Sequence, residues 1–346
     1  MMTDQQWQML LQTVRGEKTE KPQVGFIIDS PWLPNWHGVS ILDYFTDNEL
    51  WLQANSAAVR TFPDALFLPG FWAEFGMCTE PSAFGARCTF PHNEFPHAHP
   101  VIRSTADIAA LPQPNPGTDG LLPFVLNRLK WAQPRIEAAG HRIRFAVARG
   151  PLNIASYLMG MTEFLTAMIM EPEATQTLIR KITEFLKQWL HLQIETFSSV
   201  DGILLLDDII GFLGEDQFVE YGLPYLKELY DAPVSVKFLH NDAPCAVSAP
   251  YLPQMGVNLF NMGFDVDLND LKKATDGQVA LLGNIPPRDV LAAGTPDDVR
   301  AAVQRQIAAL DDSSRVIFSC GGGMPPGVST ENIQAFIETV QSKRSV

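Results

Sequence analysis

The amino-acid sequence predicts an α/β protein with the fold of a (β/α)8 TIM barrel. Eight short apolar runs recur along the 346 residues, and each ends at turn-forming or polar residues. Both faces of these runs are apolar, which is typical of strands buried in a parallel sheet. Amphipathic helical patterns separate most of the runs, as in a barrel of alternating strands and helices. A doubly wound sheet is the alternative, but no Gly-x-Gly-x-x-Gly motif follows the first run.

The predicted strands follow one another along the whole chain. In order they are Val24–Ile28, Ala65–Leu68, Ile143–Ala148, Ile203–Leu206, Val234–Leu239, Val257–Phe260, Val279–Leu282 and Val316–Ser319. The longest helical pattern covers Pro172–Thr196. Thr295, followed by a proline and two aspartates, has the composition of a helix start.

The stretch between the second and third runs is longer than one connecting helix needs. We therefore expect an insertion between strands 2 and 3, at about residues 71–140, that forms a hairpin and a lid at the barrel mouth. Nothing in the remaining composition resembles a linker, so residues 1–346 are expected to form a single barrel domain.

The amino-acid composition limits the kinds of molecule that the protein is expected to bind. The net charge is −14 and 46% of the residues are hydrophobic, which suits a large core and argues against nucleic acid as a partner. No apolar run approaches the roughly 18–20 residues that span a bilayer. The first residues lack a signal-peptide pattern, so a cytoplasmic protein without membrane contact is expected. Four cysteines are too few for a disulfide framework.

The active site of a barrel forms where the strands end, at their carboxyl termini. The predicted strand ends are rich in polar side chains that could bind substrate or metal. They are Asp29, Arg149, Asp207, Asp208, His240, Asp242, Asn261, Asn284 and Cys320.

His240 and Cys320 indicate a metal site, because imidazole and thiolate are both good zinc ligands. Asp242 is the expected third ligand, and Cys245 is the second choice for that position. The alternative is that His240 is a hydrogen-bonded barrel residue and Cys320 a small buried thiol. Glu80, in the insertion, is expected to reach the barrel mouth.

The adjacent acids Asp207 and Asp208 follow the fourth run directly. One of them is expected to act as a general base, a substrate acceptor or a metal ligand, the alternative being a helix cap. Trp32, in an aromatic segment after the first run, would suit a flat apolar substrate, the alternative being lid packing. The glycine run at 321–323 would either cradle an anion or form a tight turn.

Several segments resemble the uroporphyrinogen decarboxylase superfamily over most of the chain, from roughly Phe62 to Val340. The segments are ARGPLNIASYLMG, GILLLDDIIGFL, LLGNIPPRDVLAAGTPDDVR and VIFSCGGGMPPGVSTENIQAFIE. The resemblance implies a (β/α)8 barrel that either decarboxylates porphyrinogens or, with zinc, passes methyl groups between corrinoid proteins and thiols. A small-molecule substrate is implied in both cases, and a homodimer is left open.

The details favour the methyltransferase branch. The Arg-Gln-Ala-Gly-Arg motif of the decarboxylases is absent, their aspartate after the second strand is missing, and Gly322 stands where they have histidine. Tyr157 matches their tyrosine after the third strand. The methyltransferase branch resembles this chain at His240 and Cys320, with Asp242 in place of its middle cysteine, and Glu80 resembles a further ligand.

The leading hypothesis is therefore zinc-dependent methyl transfer from a methylated corrinoid protein to a thiol or related acceptor, with zinc held by His240, Asp242 and Cys320. Asp207 or Asp208 would orient the substrate and Tyr157 would contact it. The rival hypotheses are decarboxylation of a porphyrinogen and non-catalytic binding of a corrinoid or tetrapyrrole.

Overall fold

The computed structural model describes residues 2–17, 19, 21–28 and 31–342. Eight parallel strands form one curled sheet, as predicted. They are β1 (Gln23–Ile27), β2 (Ala65–Leu68), β3 (Phe145–Arg149), β4 (Gly202–Leu206), β5 (Val236–Asn241), β6 (Leu259–Met262), β7 (Ala280–Ile285) and β8 (Val316–Cys320). Their order across the sheet is β2-β1-β8-β7-β6-β5-β4-β3. The (β/α)8 fold class is confirmed.

The predicted runs overlap these strands, but several strands begin one or two residues later and continue further than hydropathy indicates. Strand β5 includes His240 and Asn241, and β7 reaches Ile285. The parallel ladder pairs His240 with Asn261 and Ser319 with Asn284 in register. A backbone ladder is indifferent to side-chain polarity, so polar residues at the buried carboxyl ends are still in strand conformation.

Helices pack around the sheet. They are α1 (Asp4–Arg15), α2 (Trp32–His37), α3 (Ile41–Thr46), α4 (Asn48–Thr61), α5 (Leu122–Ala138), α6 (Pro151–Met159), α7 (Met161–Met170), α8 (Pro172–Thr196), α9 (Glu215–Gln217), α10 (Leu223–Tyr230), α11 (Leu252–Met255), α12 (Leu268–Ala274), α13 (Pro296–Ala309) and α14 (Thr330–Ser342). Helix α8 has the predicted bounds, and Thr295 caps α13 through a reciprocal bond with Asp298.

Helix α1 closes the amino-terminal end of the barrel. Its Trp7, Leu10 and Val14 belong to one buried apolar cluster with residues from the strand interiors. The ring of Trp7 meets Phe145, the first residue of β3, edge to face at 5.5 Å between ring centroids. With this end filled, the carboxyl ends of the strands form the open mouth.

Strands β2 and β3 are the two ends of the ladder, and no ladder bond joins them within the described ranges. The backbone of Val147 in β3 is satisfied by a side chain instead. Its N–H donates to Oε1 of Gln193 at 3.0 Å, and its carbonyl accepts from Nε2 at 3.0 Å. The amide of Gln193, from α8, thus takes the place of a neighbouring strand's peptide group.

The chain between β2 and β3 contains short elements and one long helix. A 3-10 turn at Pro81–Phe84 precedes an antiparallel hairpin that pairs Cys88–Thr89 with His97–Ala98. A second 3-10 turn at Thr105–Ala110 and then α5 follow.

Within the described residues, no single helix is long and apolar enough to cross a membrane. Helices α6 and α7 meet that length and composition only as a pair, and they are bent by 106° relative to each other.

Candidate functional site

Three side chains at the ends of β4 and β5 form a compact group. Asp208 follows β4, His240 is the fifth residue of β5, and Asp242 follows β5. One ligand atom from each, an imidazole nitrogen or a carboxylate oxygen, lies within 4.8 Å of the other two. The parallel register, which pairs Leu206 with His240, brings the two strand ends together. Such a spacing of one nitrogen and two carboxylates is suited to holding a divalent cation.

The hydrogen bonds around His240 determine which nitrogen faces the group. Nδ1 lies 2.7 Å from Oδ1 of Asn261. The amide nitrogen of Asn261 donates to the carbonyl of Leu282 at 2.7 Å, and because that carbonyl can only accept, the amide oxygen must face the imidazole. Nδ1 therefore donates its proton, and in the neutral ring Nε2 keeps its lone pair.

Nε2 of His240 is directed at the carboxylates, 3.8 Å from Oδ1 of Asp208. The relay from His240 through Asn261 to Leu282 follows one row of the sheet, because β5, β6 and β7 pair these residues in register. His240 is 7% exposed, so this arrangement is held within packed surroundings. An oriented imidazole with a free lone pair is the form in which histidine binds metal.

Two carboxylates share the same small volume. The backbone N–H of Asp242 donates to Oδ1 of Asp208 at 3.1 Å, and the amide of Asn153 donates to Oδ2 at 3.4 Å. Partial loss of hydration raises the pKa of Asp242, the negative charge of Asp208 raises it further, and His240 opposes the shift. A bound cation would relieve this repulsion.

Asp207 is fully buried and does not face the mouth. Its two carboxylate oxygens accept from the backbone N–H groups of Leu152 and Asn153, at 3.0 and 3.1 Å. They thereby cap the first turn of α6, and burial raises the pKa of Asp207 well above its ordinary value. A Cβ on Gly150 would come within 2.2 Å of this carboxylate, so the glycine allows the close approach. The contacts match the capping alternative, although the capped helix follows β3 and not β4.

Arg149, at the end of β3, is enclosed by two acids. Its guanidinium lies 2.8 Å from Glu74 and 3.4 Å from Glu80, and Glu80 also accepts from the Arg149 backbone N–H at 3.2 Å. All three side chains are buried. Glu80, expected as a metal ligand, is therefore paired with Arg149 and lies outside the metal-suited group. Tyr157 lies close enough to interact electrostatically with Arg149, and burial raises the pKa of its phenol to about 12.

Cys320 is buried at the end of β8, with its Sγ 3.7 Å from the carbonyl of Gly322. It does not join the compact group of Asp208, His240 and Asp242. The structure thus brings together two of the three residues predicted to bind zinc, His240 and Asp242, with Asp208 as the third member of the group. Gly322 has a left-handed φ of 73°, and a Cβ on it would stand 3.1 Å from Oδ2 of Asp242.

Most of the other residues that were predicted to contact substrate form hydrogen bonds or packing contacts within the protein. Trp32 is fully buried, donates to the carbonyl of Val328 at 3.1 Å and stacks on Phe67, so its packing alternative describes it better than a substrate role. The amide of Asn284 donates to the loop carbonyls at 263 and 266 and accepts from Gln306. Asn261 positions His240, and Asp29 lies outside the described residues.

Two residues of the site were missed by sequence reasoning. Glu74 lies in an apolar segment after β2 with no distinguishing pattern, yet it forms the shorter contact to Arg149. The amide oxygen of Asn153 accepts from the N–H groups of Asp208 and Ile209, at 3.0 and 3.1 Å, and so holds the β4 end against α6. For Asn153, the sequence did offer a signal, namely a polar residue in the first turn of a helix that follows a barrel strand.

Comparison with known proteins identifies relatives by sequence and by fold. The curated relatives include the uroporphyrinogen decarboxylase of Chlorobium limicola, 28% identical over 70% of this chain and 71% of that protein. The uroporphyrinogen decarboxylase of Alcanivorax borkumensis is 25% identical over 88% of this chain and 86% of its own length.

Among solved structures, a methyltransferase from Methanosarcina mazei superposes with a TM-score of 0.81 at 18% identity, covering 96% of this chain and 97% of that one. A B12-independent methionine synthase from Shewanella, in complex with selenomethionine, has a TM-score of 0.56 at 10% identity, with 93% and 98% covered. At these identities the two structures establish the common fold. The family model for uroporphyrinogen decarboxylase (URO-D) matches residues 6–343, and the chain therefore belongs to the uroporphyrinogen decarboxylase family.

Proposed function

We propose that this protein is a zinc-dependent methyltransferase in which Asp208, His240 and Asp242 hold the metal. One observation carries the proposal, namely that Nε2 of His240, the ring nitrogen opposite the one bonded to Asn261, is aimed at two converging carboxylates. Imidazole and carboxylate are both ligands of zinc, and three protein ligands leave a position open for a substrate, as catalytic zinc sites require. Zinc bound there would lower the pKa of the group that accepts the methyl.

The residues of the chain would prepare this site in advance. Asn261 orients the imidazole, while the backbone N–H of Asp242 and the amide of Asn153 hold the Asp208 carboxylate. The phenol of Tyr157, with its pKa of about 12, stays protonated at neutral pH and can donate a hydrogen bond to a substrate. The acceptor would be a small thiol or a related nucleophile, and the methyl donor a methylated corrinoid carried by a partner protein.

Metal analysis of the protein and its variants tests this proposal. We expect about one zinc per chain after purification without added metal, and loss of that zinc in His240→Ala and in Asp242→Asn, because each removes one of three ligands. His191→Ala is the matched control, since His191 is exposed on α8. Cys320→Ala is expected to keep the zinc. Metal-free wild-type protein that remains metal-free on zinc titration would contradict the proposal.

Decarboxylation of a porphyrinogen is the second candidate, because the curated relatives carry that name. Uroporphyrinogen bears eight carboxylates, which need cationic partners. Arg149, at the end of β3, already pairs with Glu74 and Glu80, which offset its positive charge. We therefore expect no release of carbon dioxide from uroporphyrinogen under anaerobic conditions, and measurable turnover would favour this second candidate over methyl transfer.

A further inference from the structure

Two cysteines meet at the base of the hairpin between β2 and β3, away from the proposed metal group. Cys78 is fully buried, and Cys88 is half-buried at the start of the first hairpin strand. The Sγ of Cys88 lies 4.0 Å from the carbonyl oxygen of Cys78 and 3.6 Å from that of Ala86, and the two thiols are close enough to influence each other's pKa. Both are free thiols in this structure.

The backbone around both cysteines is held in place. The N–H of Cys78 donates to the carbonyl of Phe75 at 3.2 Å, and the carbonyl of Cys78 accepts from the N–H of Ser82 at 3.1 Å. Cys88 pairs with Ala98 across the hairpin. The 4.0 Å contact places the Cys88 sulfur directly beside residue 78, which is the proximity that a disulfide between two cysteines requires.

The two thiols are not equivalent chemically. The hydrogen bond from the Cys78 thiol lowers the pKa of Cys88, whereas the same bond and burial raise the pKa of Cys78. The thiolate is the nucleophile in thiol–disulfide exchange. Cys88, which is both more acidic and more exposed than Cys78, is therefore the thiol that reacts first with an oxidant from solution.

We propose that Cys78 and Cys88 are a site of reversible oxidation that closes an intramolecular disulfide. With a low-molecular-weight disulfide such as oxidised glutathione, the Cys88 thiolate attacks one sulfur, forms a mixed disulfide and releases one glutathione thiolate. Cys78 passes its proton to that thiolate, attacks the Cys88 sulfur and releases the second glutathione. The two protein thiols are oxidised to one disulfide, and one oxidised glutathione is reduced to two thiols.

The bond would tie the hairpin to the turn that encloses Arg149. Cys78 lies between Glu74 and Glu80, which both contact the Arg149 guanidinium. The hairpin loop already packs on this turn, since a Cβ on Gly76 would come within 2.7 Å of Pro96. Oxidation is therefore expected to raise the midpoint of thermal unfolding, by restricting the unfolded chain, and to leave zinc content unchanged.

Thiol counting and peptide mapping test the proposal on the full-length protein. The four cysteines give four reactive thiols in the reduced, denatured protein. After incubation of the native protein with oxidised glutathione, we expect two thiols and one cross-linked peptide pair containing Cys78 and Cys88. Addition of dithiothreitol should restore all four. Four thiols after oxidation, or a cross-link that involves Cys245 or Cys320, would overturn the proposal.

Single variants separate pair formation from simple surface oxidation. In Cys78→Ser, no thiol is present to resolve the first adduct, so Cys88 is expected to keep one glutathionyl group, visible in the intact mass. Cys245→Ser is the matched control for a buried cysteine and should still lose two thiols. A stable glutathionyl adduct on wild-type Cys88 would show that Cys78 does not resolve it and would also overturn the proposal.

Discussion

At the scale of single residues, the candidate site depends on how His240 is held. Its Nδ1 donates to Asn261, whose own orientation is set by the Leu282 carbonyl. Nε2 is thereby turned toward the carboxylates of Asp208 and Asp242. Asn261, which was predicted to contact substrate, hydrogen-bonds the imidazole in the structure.

Removing this support should weaken metal binding without removing a ligand. We expect Asn261→Leu to lower zinc affinity by about 10- to 100-fold, because the imidazole loses the acceptor that selects its tautomer and orientation. Competition with a chromophoric chelator measures the affinity. Asn284→Ala is the control, since Asn284 is a strand-end amide that binds loop carbonyls and not the imidazole. Equal affinities in the two variants would contradict the assigned role.

At the scale of elements, the eight-stranded ladder has two outer edges, on β2 and β3, whose backbone groups need hydrogen-bond partners. Strands β2 and β3 flank the chain that carries Glu74, Glu80 and the hairpin. The free edge of β3 is satisfied by Gln193 from α8, which supplies both a donor and an acceptor to Val147. A side chain from a long helix thus supplies hydrogen bonds to the outer edge of β3 at Val147.

Gln193 is therefore expected to contribute more to the free energy of unfolding than a glutamine on an exposed helix face. Gln193→Ala leaves an N–H and a carbonyl of partly buried Val147 without partners, and we expect a loss of about 1–3 kcal/mol in the free energy of unfolding. Urea denaturation measures the loss. Gln188→Ala, at an exposed position on the same helix, should change the stability by less than about 0.5 kcal/mol. Equal losses of stability in the two variants would contradict this role, because they would mean that water bonds to the Val147 backbone as well as Gln193 does.

At the scale of the whole molecule, the barrel is closed at one end and open at the other. Helix α1 fills the amino-terminal end with Trp7 and its apolar neighbours, and the chemistry-bearing side chains lie at the opposite end. This division separates residues that stabilise the barrel from residues that can react, as is general for this fold.

Helix α1 is accordingly expected to affect stability and not metal binding. Trp7→Ala should cost about 3–5 kcal/mol, because a large side chain that is 2% exposed leaves a cavity at the barrel end. Thermal and urea unfolding measure the loss, and Gln8→Ala, exposed on the same helix, is the control. A folded Trp7→Ala protein should bind zinc as the wild type does, and weaker binding would contradict the separation of the two ends.

The local pattern of apolar and polar residues was enough to predict the barrel, its eight strands, the bounds of α8 and the set of side chains at the strand ends. Hydropathy records burial residue by residue, so it finds strands wherever they are buried on both faces. The same reasoning brought His240 and Asp242 to one mouth, as observed.

Only the tertiary structure decided which of those strand-end residues meet. Asp208, and not Cys320, completes the group around His240, while the adjacent Asp207 turns away to cap α6. Glu80 is paired with Arg149, and the Cys88 sulfur lies beside the Cys78 carbonyl. These pairings depend on the register between strands and on the direction of each side chain. Both are set by contacts between residues far apart in the chain, which no local pattern encodes.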